Sequence, residues 1–304
     1  MRLDYIFLVR LRCGLGDYVA FTSLIRAMKK LYPSKKIILI SGLKEVYENN
    51  DDIYKSYQIK NKILQIVFFF IFRILSIVFS RIIYVGYYKI DKFKSLEEEM
   101  RSGTKDHYLK LISRHWKENI NYLDLKNKII FSKKEEMIYK EKFRNLPQEY
   151  VLIHSQGKIL YTPNKEIGVK NMQNIINSLQ TINWIQIGSK NDTELKNIKE
   201  NFSGKTTIRE LFYLISKSQF VVCQEGAFNH IANSFEKKAI TIFTGFNPVE
   251  IYSYSTTIAI QKKDLPDCSP CMLIKEKCQN NMCCIDGTII EKVIEKIKQL
   301  SSIN

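Results

Sequence analysis

The sequence predicts an α/β protein built from two parallel-sheet domains that face a cleft. Three observations carry that reading. Short apolar runs alternate with segments of helical periodicity, and the alternation runs twice, restarting at Tyr150. The first block opens on a strand, a glycine turn and a helix, which make the first half of a βαβ unit. The 304 residues are 45% hydrophobic, enough to bury two cores.

Taken in order, the apolar run from Tyr5 to Val9 predicts a strand over 5–10. After the turn Cys13-Gly14-Leu15-Gly16-Asp17, the residues Phe21, Leu24, Ile25, Met28 and Leu31 fall at helical spacing and stop at Pro33. They predict a helix over 18–32. Strands are expected at 36–41 and 82–86, and helices at 63–79 and 106–119. A polar stretch holding the run Lys133-Lys134-Glu135-Glu136 and then Pro147 places the domain boundary, giving domains 1–147 and 148–304. In the second block strands are expected at Val151 to His154, Trp184 to Ile187, Phe220 to Cys223 and 239–243. Helices are expected at 168–180, Ile208 to Ser216, 228–235 and 288–300, the last with Ile289, Val293, Ile294 and Ile297 along one face.

The stretch from Ile63 to Ile83 is nearly continuous apolar sequence, close to the roughly 20 residues that span a bilayer. Arg73 sits near its middle, where a charge costs about 2.5–3.5 kcal/mol on insertion scales. A single span would also put strands of one sheet on opposite sides of a membrane. The favoured reading is therefore a helix partly buried and partly seated on a membrane surface, with an apolar core helix as the alternative.

The formal net charge of +16 is dispersed along the chain. It favours acidic partners: nucleotide phosphates, an anionic membrane surface or nucleic acid. No RRM, KH or helix-turn-helix pattern accompanies it, so nucleic acid is not the expected partner. Met1 to Asp4 leads directly into the first strand, so no secretory signal is expected and the chain is read as cytoplasmic. Five of the seven cysteines lie between 268 and 284, which fits a reducing compartment and a metal site better than disulfides. Cys268, Cys271, Cys278 and Cys284, with Cys283 adjacent to the last, are close enough in sequence to wrap one ion. Four thiolates would suit a structural Zn²⁺ or Fe.

The candidate chemistry lies in loops. The helix after Gly16 offers backbone N–H groups and a positive dipole end to an anion. Asp17 at that helix start would repel a phosphate, so it reads as an acid–base group or as a helix cap. In the second block, ligands of α/β folds bind at the carboxyl ends of the strands. Gly188-Ser189-Lys190-Asn191-Asp192 follows one strand and Glu225-Gly226-Ala227-Phe228-Asn229-His230 another. Glu225 could accept ribose hydroxyl hydrogens, while Gly226 and Ala227 would let the backbone approach phosphate. His230 falls one turn into the helix, as a ligand contact or as a satisfied structural histidine. Thr244-Gly245-Phe246-Asn247-Pro248 follows the next strand and could close the same pocket. The first turn lacks the full G-x-G-x-x-G fingerprint, which disfavours a dinucleotide-dependent oxidoreductase.

Gly16-Asp17 with Thr22, Leu24, Arg26 and the ending Leu31-Tyr32-Pro33 resembles the amino-terminal signature of the glycosyltransferase family 9 heptosyltransferases. Gly204-Lys205-Thr206-Thr207-Ile208-Arg209-Glu210-Leu211, then Val221-Val222 and Glu225 to Ala232, resembles the second. Glu225, Gly226 and Ala227 stand where the family usually has Asp, Ser or Thr, and Gly. Lys165 falls where members often carry a phosphate-facing lysine, without the tryptophan that commonly follows. The resemblance implies a GT-B fold of two Rossmann-like domains and an inverting glycosyltransferase using a nucleotide sugar, typically ADP-heptose. It implies a lipid-linked glycan acceptor such as lipopolysaccharide core, a peripheral seat at the inner membrane, and no catalytic metal. Asp17 matches the proposed general base, with Arg10, Arg12 and Gly16 toward the acceptor. Lys165, Gly188, Asp192, Lys205, Glu225, Gly226, Ala227 and His230 are the expected donor contacts. A similar cysteine-rich loop marks a subgroup that heptosylates autotransporter proteins and binds iron. A basic nucleic-acid-binding protein with a zinc-knuckle-like loop is the alternative from another class.

Overall fold

The computed structural model describes residues 4–78, 82–84, 126–157, 159–273 and 275–301. The chain divides into two compact units, Met1–Glu136 and Met137–Asn304.

In the first unit, β1 (Tyr5–Arg10), α1 (Leu15–Leu31), β2 (Lys36–Ser41), β3 (Lys55–Gln58), α2 (Lys62–Val78) and β4 (Ile82–Tyr84) follow in turn. The sheet runs β3-β2-β1-β4, with every pair parallel. Ile6, Leu8 and Val9 of β1 are buried together with Phe21, Leu24, Ile25 and Met28 of α1, so the spacing that predicted the helix is its core face. Strand β3 was not expected. Its Lys55-Ser56-Tyr57-Gln58 has three exposed residues and lies at the sheet edge, so it carries no apolar alternation to read. Of the expected strand 82–86, residues 85–86 lie outside the described residues, as does the expected helix 106–119.

Asn61 starts α2 by accepting from the N–H groups of Ile63 (2.8 Å) and Leu64 (3.2 Å). One face of the helix turns inward through Gln65. This buried amide accepts from Arg12 N (3.1 Å) and donates to Ile59 O (2.7 Å). Away from Gln65 the helix is open: Ile63, Val67, Phe70, Ile71 and Ile74 form an exposed stripe, and Leu64 and Ile66 on either side of it are exposed as well. Among the described residues no helix is long and apolar enough to cross a membrane.

Helix α3 (Lys133–Lys142) begins on a capping box. Ser132 Oγ accepts from Glu135 N (3.2 Å), and the Glu135 carboxylate accepts from Ser132 N (2.9 Å). Then come β5 (Val151–His154), a 3₁₀ turn (Pro163–Lys165), α4 (Val169–Ser178), β6 (Trp184–Ile187), β7 (Glu200–Asn201) and α5 (Ile208–Lys217). The chain continues through β8 (Phe220–Gln224), α6 (Ala227–Ser234), β9 (Lys238–Ile242), α7 (Val249–Tyr252), β10 (Thr257–Ile260) and α8 (Gly287–Ser301). The second sheet is parallel, in the order β10-β9-β8-β5-β6-β7. Counted within the unit this is 6-5-4-1-2-3, the doubly wound arrangement, whose order reverses between β5 and β8. Strands β5, β6 and β8 are buried throughout, which is why they read as unbroken apolar runs. Val151, Trp184, Val222 and Ile240 form one core with Met172 and Ile176 of α4 and Ile289, Val293 and Ile297 of α8.

Candidate functional site

A doubly wound sheet opens its ligand crevice where strand order reverses, at the carboxyl ends of the two flanking strands. Here those ends are Ser155-Gln156-Gly157 after β5 and Glu225-Gly226 after β8. Glu166 ties the two loops. Its carboxylate accepts from Gly157 N (2.7 Å) and from Gln224 Nε2 (3.1 Å), while Gln224 Oε1 accepts from Ile167 N (2.7 Å). Burial pushes the Glu166 carboxyl above the ordinary glutamate value, against the pull of those hydrogen bonds.

Glu225 ends this strand edge with a charge. It is ion-paired to Lys165 Nζ and accepts from Asn247 Nδ2 at 2.8 Å, and the pair is largely buried. The Lys165 ammonium lies 4.9 Å from the ring centre of Phe246 and 5.9 Å from that of Tyr252. Gly226 caps α6 at φ 155° and ψ −151°, and nothing stands within 4 Å of where a Cβ would point. Ala227 is the first helical residue, so a cation, an open glycine and the amino end of α6 adjoin one another. The arrangement suits a diphosphate.

Along the same sheet edge, Asp192 folds back over Gly188. Its carboxylate accepts from Ser189 N (2.9 Å) and Ser189 Oγ (2.9 Å) and pairs with His154 Nε2 (3.4 Å), and a Cβ on Gly188 would overlap it. Burial opposes ionisation, yet the hydrogen bonds from His154 and Ser189 hold Asp192 below the usual aspartate value. The His154 ring packs on Phe228, 4.2 Å between centres. Lys205 lies exposed in the turn before α5, and among the described residues no hydrogen bond or ion pair joins it to Lys165 or Glu225. His230 is bonded through Nδ1 to the Tyr254 hydroxyl.

In the first unit the sheet order reverses between β1 and β4, so the loop after β1 occupies the corresponding place. Asp17 is the third residue of α1. One carboxylate oxygen accepts from Gly14 N (2.9 Å) and the other pairs with the buried Arg10 (3.3 Å), leaving 39% of the side chain exposed. Arg12 is exposed, with its guanidinium 5.7 Å from the Phe69 ring centre, and Gly16 lies in the first turn of α1. Beneath the loop, burial pushes the Cys13 thiol up to about 12, against the nearby Arg10 charge.

The sequence profile of glycosyltransferase family 9 (heptosyltransferase) matches residues 109–281. The chain belongs to this family. Three solved structures superpose along most of its length. The family 9 glycosyl transferase of Veillonella parvula DSM 2008 does so at a TM-score of 0.67 and 13% identity, covering 100% of this chain and 99% of that one. E. coli ADP-heptose LPS heptosyltransferase II gives 0.66 at 14%, covering 97% and 98%. The iron-containing dodecameric glycosyltransferase TibC from enterotoxigenic E. coli H10407 gives 0.65 at 13%, covering 98% and 80%. At these identities the likeness establishes the fold, GT-B with two Rossmann-like domains. No curated protein matches the sequence.

In this family 9 glycosyltransferase the five clustered cysteines share one cavity. Cys268, Cys271, Cys278, Cys283 and Cys284 line a cavity of about 120 Å³ with Asn164 and Gly245, and all seven cysteines are free thiols. Among the described residues no three Cys, His, Asp or Glu side chains are gathered closely enough to hold one ion. Cys268 and Cys283 face solvent while Cys284 is buried, and Cys268 Sγ accepts from Asn280 Nδ2 (3.3 Å).

Sequence reasoning missed Glu166, Gln224 and His154. Glu166 follows the singled-out Lys165 and Gln224 precedes Glu225, so adjacency was an available signal. Asn247 falls in the loop Thr244 to Pro248 that was read as able to close the pocket, and its bond to Glu225 forms where β8 and β9 lie side by side.

Proposed function

We propose that this family 9 glycosyltransferase moves heptose from ADP-heptose to a cell-surface glycan such as lipopolysaccharide core, with inversion at the anomeric carbon. The observation that carries the reading is the Lys165–Glu225 pair beside the open amino end of α6, at the carboxyl edge where strand order reverses. The donor diphosphate lies along α6, drawing Lys165 from Glu225, while Glu225 and Asn247 turn to sugar hydroxyls. The acceptor hydroxyl oxygen attacks the anomeric carbon as Asp17 takes its proton, and the bond to the diphosphate breaks. The electron pair leaves with ADP, whose charge is met by Lys165 and backbone N–H groups. As proposed, the displacement needs no catalytic metal.

A lipid-linked acceptor sits on an anionic membrane, and the exposed stripe of α2 offers a seat there, flanked by Lys62 and Arg73. A second reading, a protein acceptor as in autotransporter heptosylation, is favoured by the cysteine-lined segment.

Calorimetric titration with ADP-heptose, ADP, and UDP- and GDP-sugars, on wild type and Glu225→Ala, tests the donor. Selective ADP-heptose binding weakened by the substitution is expected. Preference for another nucleotide sugar would discard heptose, and binding of none would overturn the reading.

A further inference from the structure

The cysteine-rich segment is not an appendage to the donor-side loops; it is stitched into them. Cys271 N donates to Gly245 O (2.9 Å), Met272 N to Phe246 O (3.2 Å) and Lys275 N to Tyr161 O (2.9 Å). The loop that follows β9 and the loop that carries Lys165 are thus held by one short run of backbone. Gly245 makes this contact possible, since a Cβ there would meet Cys284 Cβ at 3.1 Å and Ser269 Oγ at 3.2 Å.

Asn164 stands at the junction. It is 3% exposed and precedes Lys165 in the 3₁₀ turn. Its amide Nδ2 donates to Glu276 O (2.8 Å) and Leu273 O (3.3 Å) of the cysteine segment. Its own carbonyl accepts from the Thr244 hydroxyl (2.7 Å), and that hydroxyl also accepts from Phe246 N (3.1 Å). Phe246 in turn underlies the Lys165 ammonium. The side-chain amide of Asn164 thereby ties the turn that bears the cation to the cysteine segment, while its main-chain carbonyl, through Thr244, links that turn to the ring beneath the ammonium.

We propose that Asn164 is a positioning residue: by pinning the lysine-bearing turn to the cysteine-rich segment it sets Lys165 for the donor diphosphate. The inference rests on the donor reading above. Asn164 touches no part of the substrate; it acts through Lys165. A side chain that must meet a diphosphate within a fraction of an ångström needs its supporting residues locked by hydrogen bonds. Removing the amide frees the turn while leaving the rest of the crevice, bound through Glu166 and Gln224, in place.

The test compares ADP with adenosine, which lacks the diphosphate, by calorimetric titration of the full chain as wild type, Asn164→Ala and Thr244→Val. Circular dichroism checks that each variant is folded. Asn164→Ala is expected to lower the affinity for ADP about tenfold, the scale of one or two neutral hydrogen bonds, and to leave adenosine unchanged. Thr244→Val, nearly isosteric, is expected to do the same to a smaller degree, and it decides the matter if Asn164→Ala does not fold. An equal loss for both ligands, or an ADP affinity that does not move, would overturn the positioning role. Wild-type protein that binds neither ligand would overturn the donor reading itself, an outcome distinct from either.

Discussion

Asp17 joins two roles in one carboxylate: it closes the first turn of α1 on Gly14 N and balances the buried Arg10, while more than a third of it stays open. Asp17→Asn keeps an oxygen for Gly14 N and removes the base. The expected outcome is a kcat lower by about 10²–10⁴ with donor affinity preserved, read by transfer kinetics beside ADP titration. A kcat within a few-fold of wild type would leave Asp17 a capping residue alone. Lys165 and Glu225 show the complementary pattern, since each compensates the other in a largely buried pair. Truncating either strands a charge, which is costly in such surroundings. At the residue scale the sequence singled out the residues of glycine turns beside strands, Asp17, Gly188, Glu225 and Gly226, and these stand at the carboxyl ends of β1, β6 and β8. Glu166 was not legible, because its partners Gly157 and Gln224 come from other loops.

Elements were legible where an apolar face repeats. Helix α5 shows the Thr207 to Glu210 capping box, with Thr207 accepting from Glu210 N (3.2 Å) and Glu210 from Thr207 N (2.9 Å). Thr207→Ala should cost about 1 kcal/mol, and lower Tm by a few degrees in a thermal melt. Burial raises the Glu210 carboxyl, but the Lys142 ammonium and the Thr207 N–H outweigh it and hold it below the ordinary value. Its folded pKa is thus depressed, so its stabilisation is present above the unfolded glutamate value and fades as pH falls through the folded one. Melts from pH 7 downward should show Glu210→Gln less stable at neutrality and converging on wild type in acid; parallel curves would refute the assignment. Helix α3 escaped notice because Lys133-Lys134-Glu135-Glu136 masks any apolar periodicity, although Ser132 and Glu135 spell its start. Strands β3 and β10 lie at sheet edges, where partners rather than patterning define the strand.

At the scale of the molecule, two parallel sheets place two reversal points in the chain, one carrying Asp17 and one carrying Lys165 and Glu225. The alternation of strands and helices announced both sheets; the sequence held no sign of strand order, which long-range pairing decides. The dispersed +16 charge belongs to this scale as well. Flotation with vesicles of phosphatidylcholine and phosphatidylglycerol should capture the protein at low salt, and Phe70→Asp with Ile74→Asp should abolish capture without lowering Tm, both side chains being exposed. Capture by neutral vesicles alone, or none at all, would sink the membrane assignment.

Gln65 gives this surface an orientation. A helix as uniformly apolar as α2 could turn about its axis at little energetic penalty, since almost any side chain would serve on the inside. The single amide forbids that freedom, because only one angle lets it meet both Arg12 N and Ile59 O. It works as a key in a lock cut for one rotation, and the stripe presented outward is a by-product of what is fastened within. Gln65→Leu should therefore leave α2 helical but blur which residues face solvent, a loss of address rather than of structure.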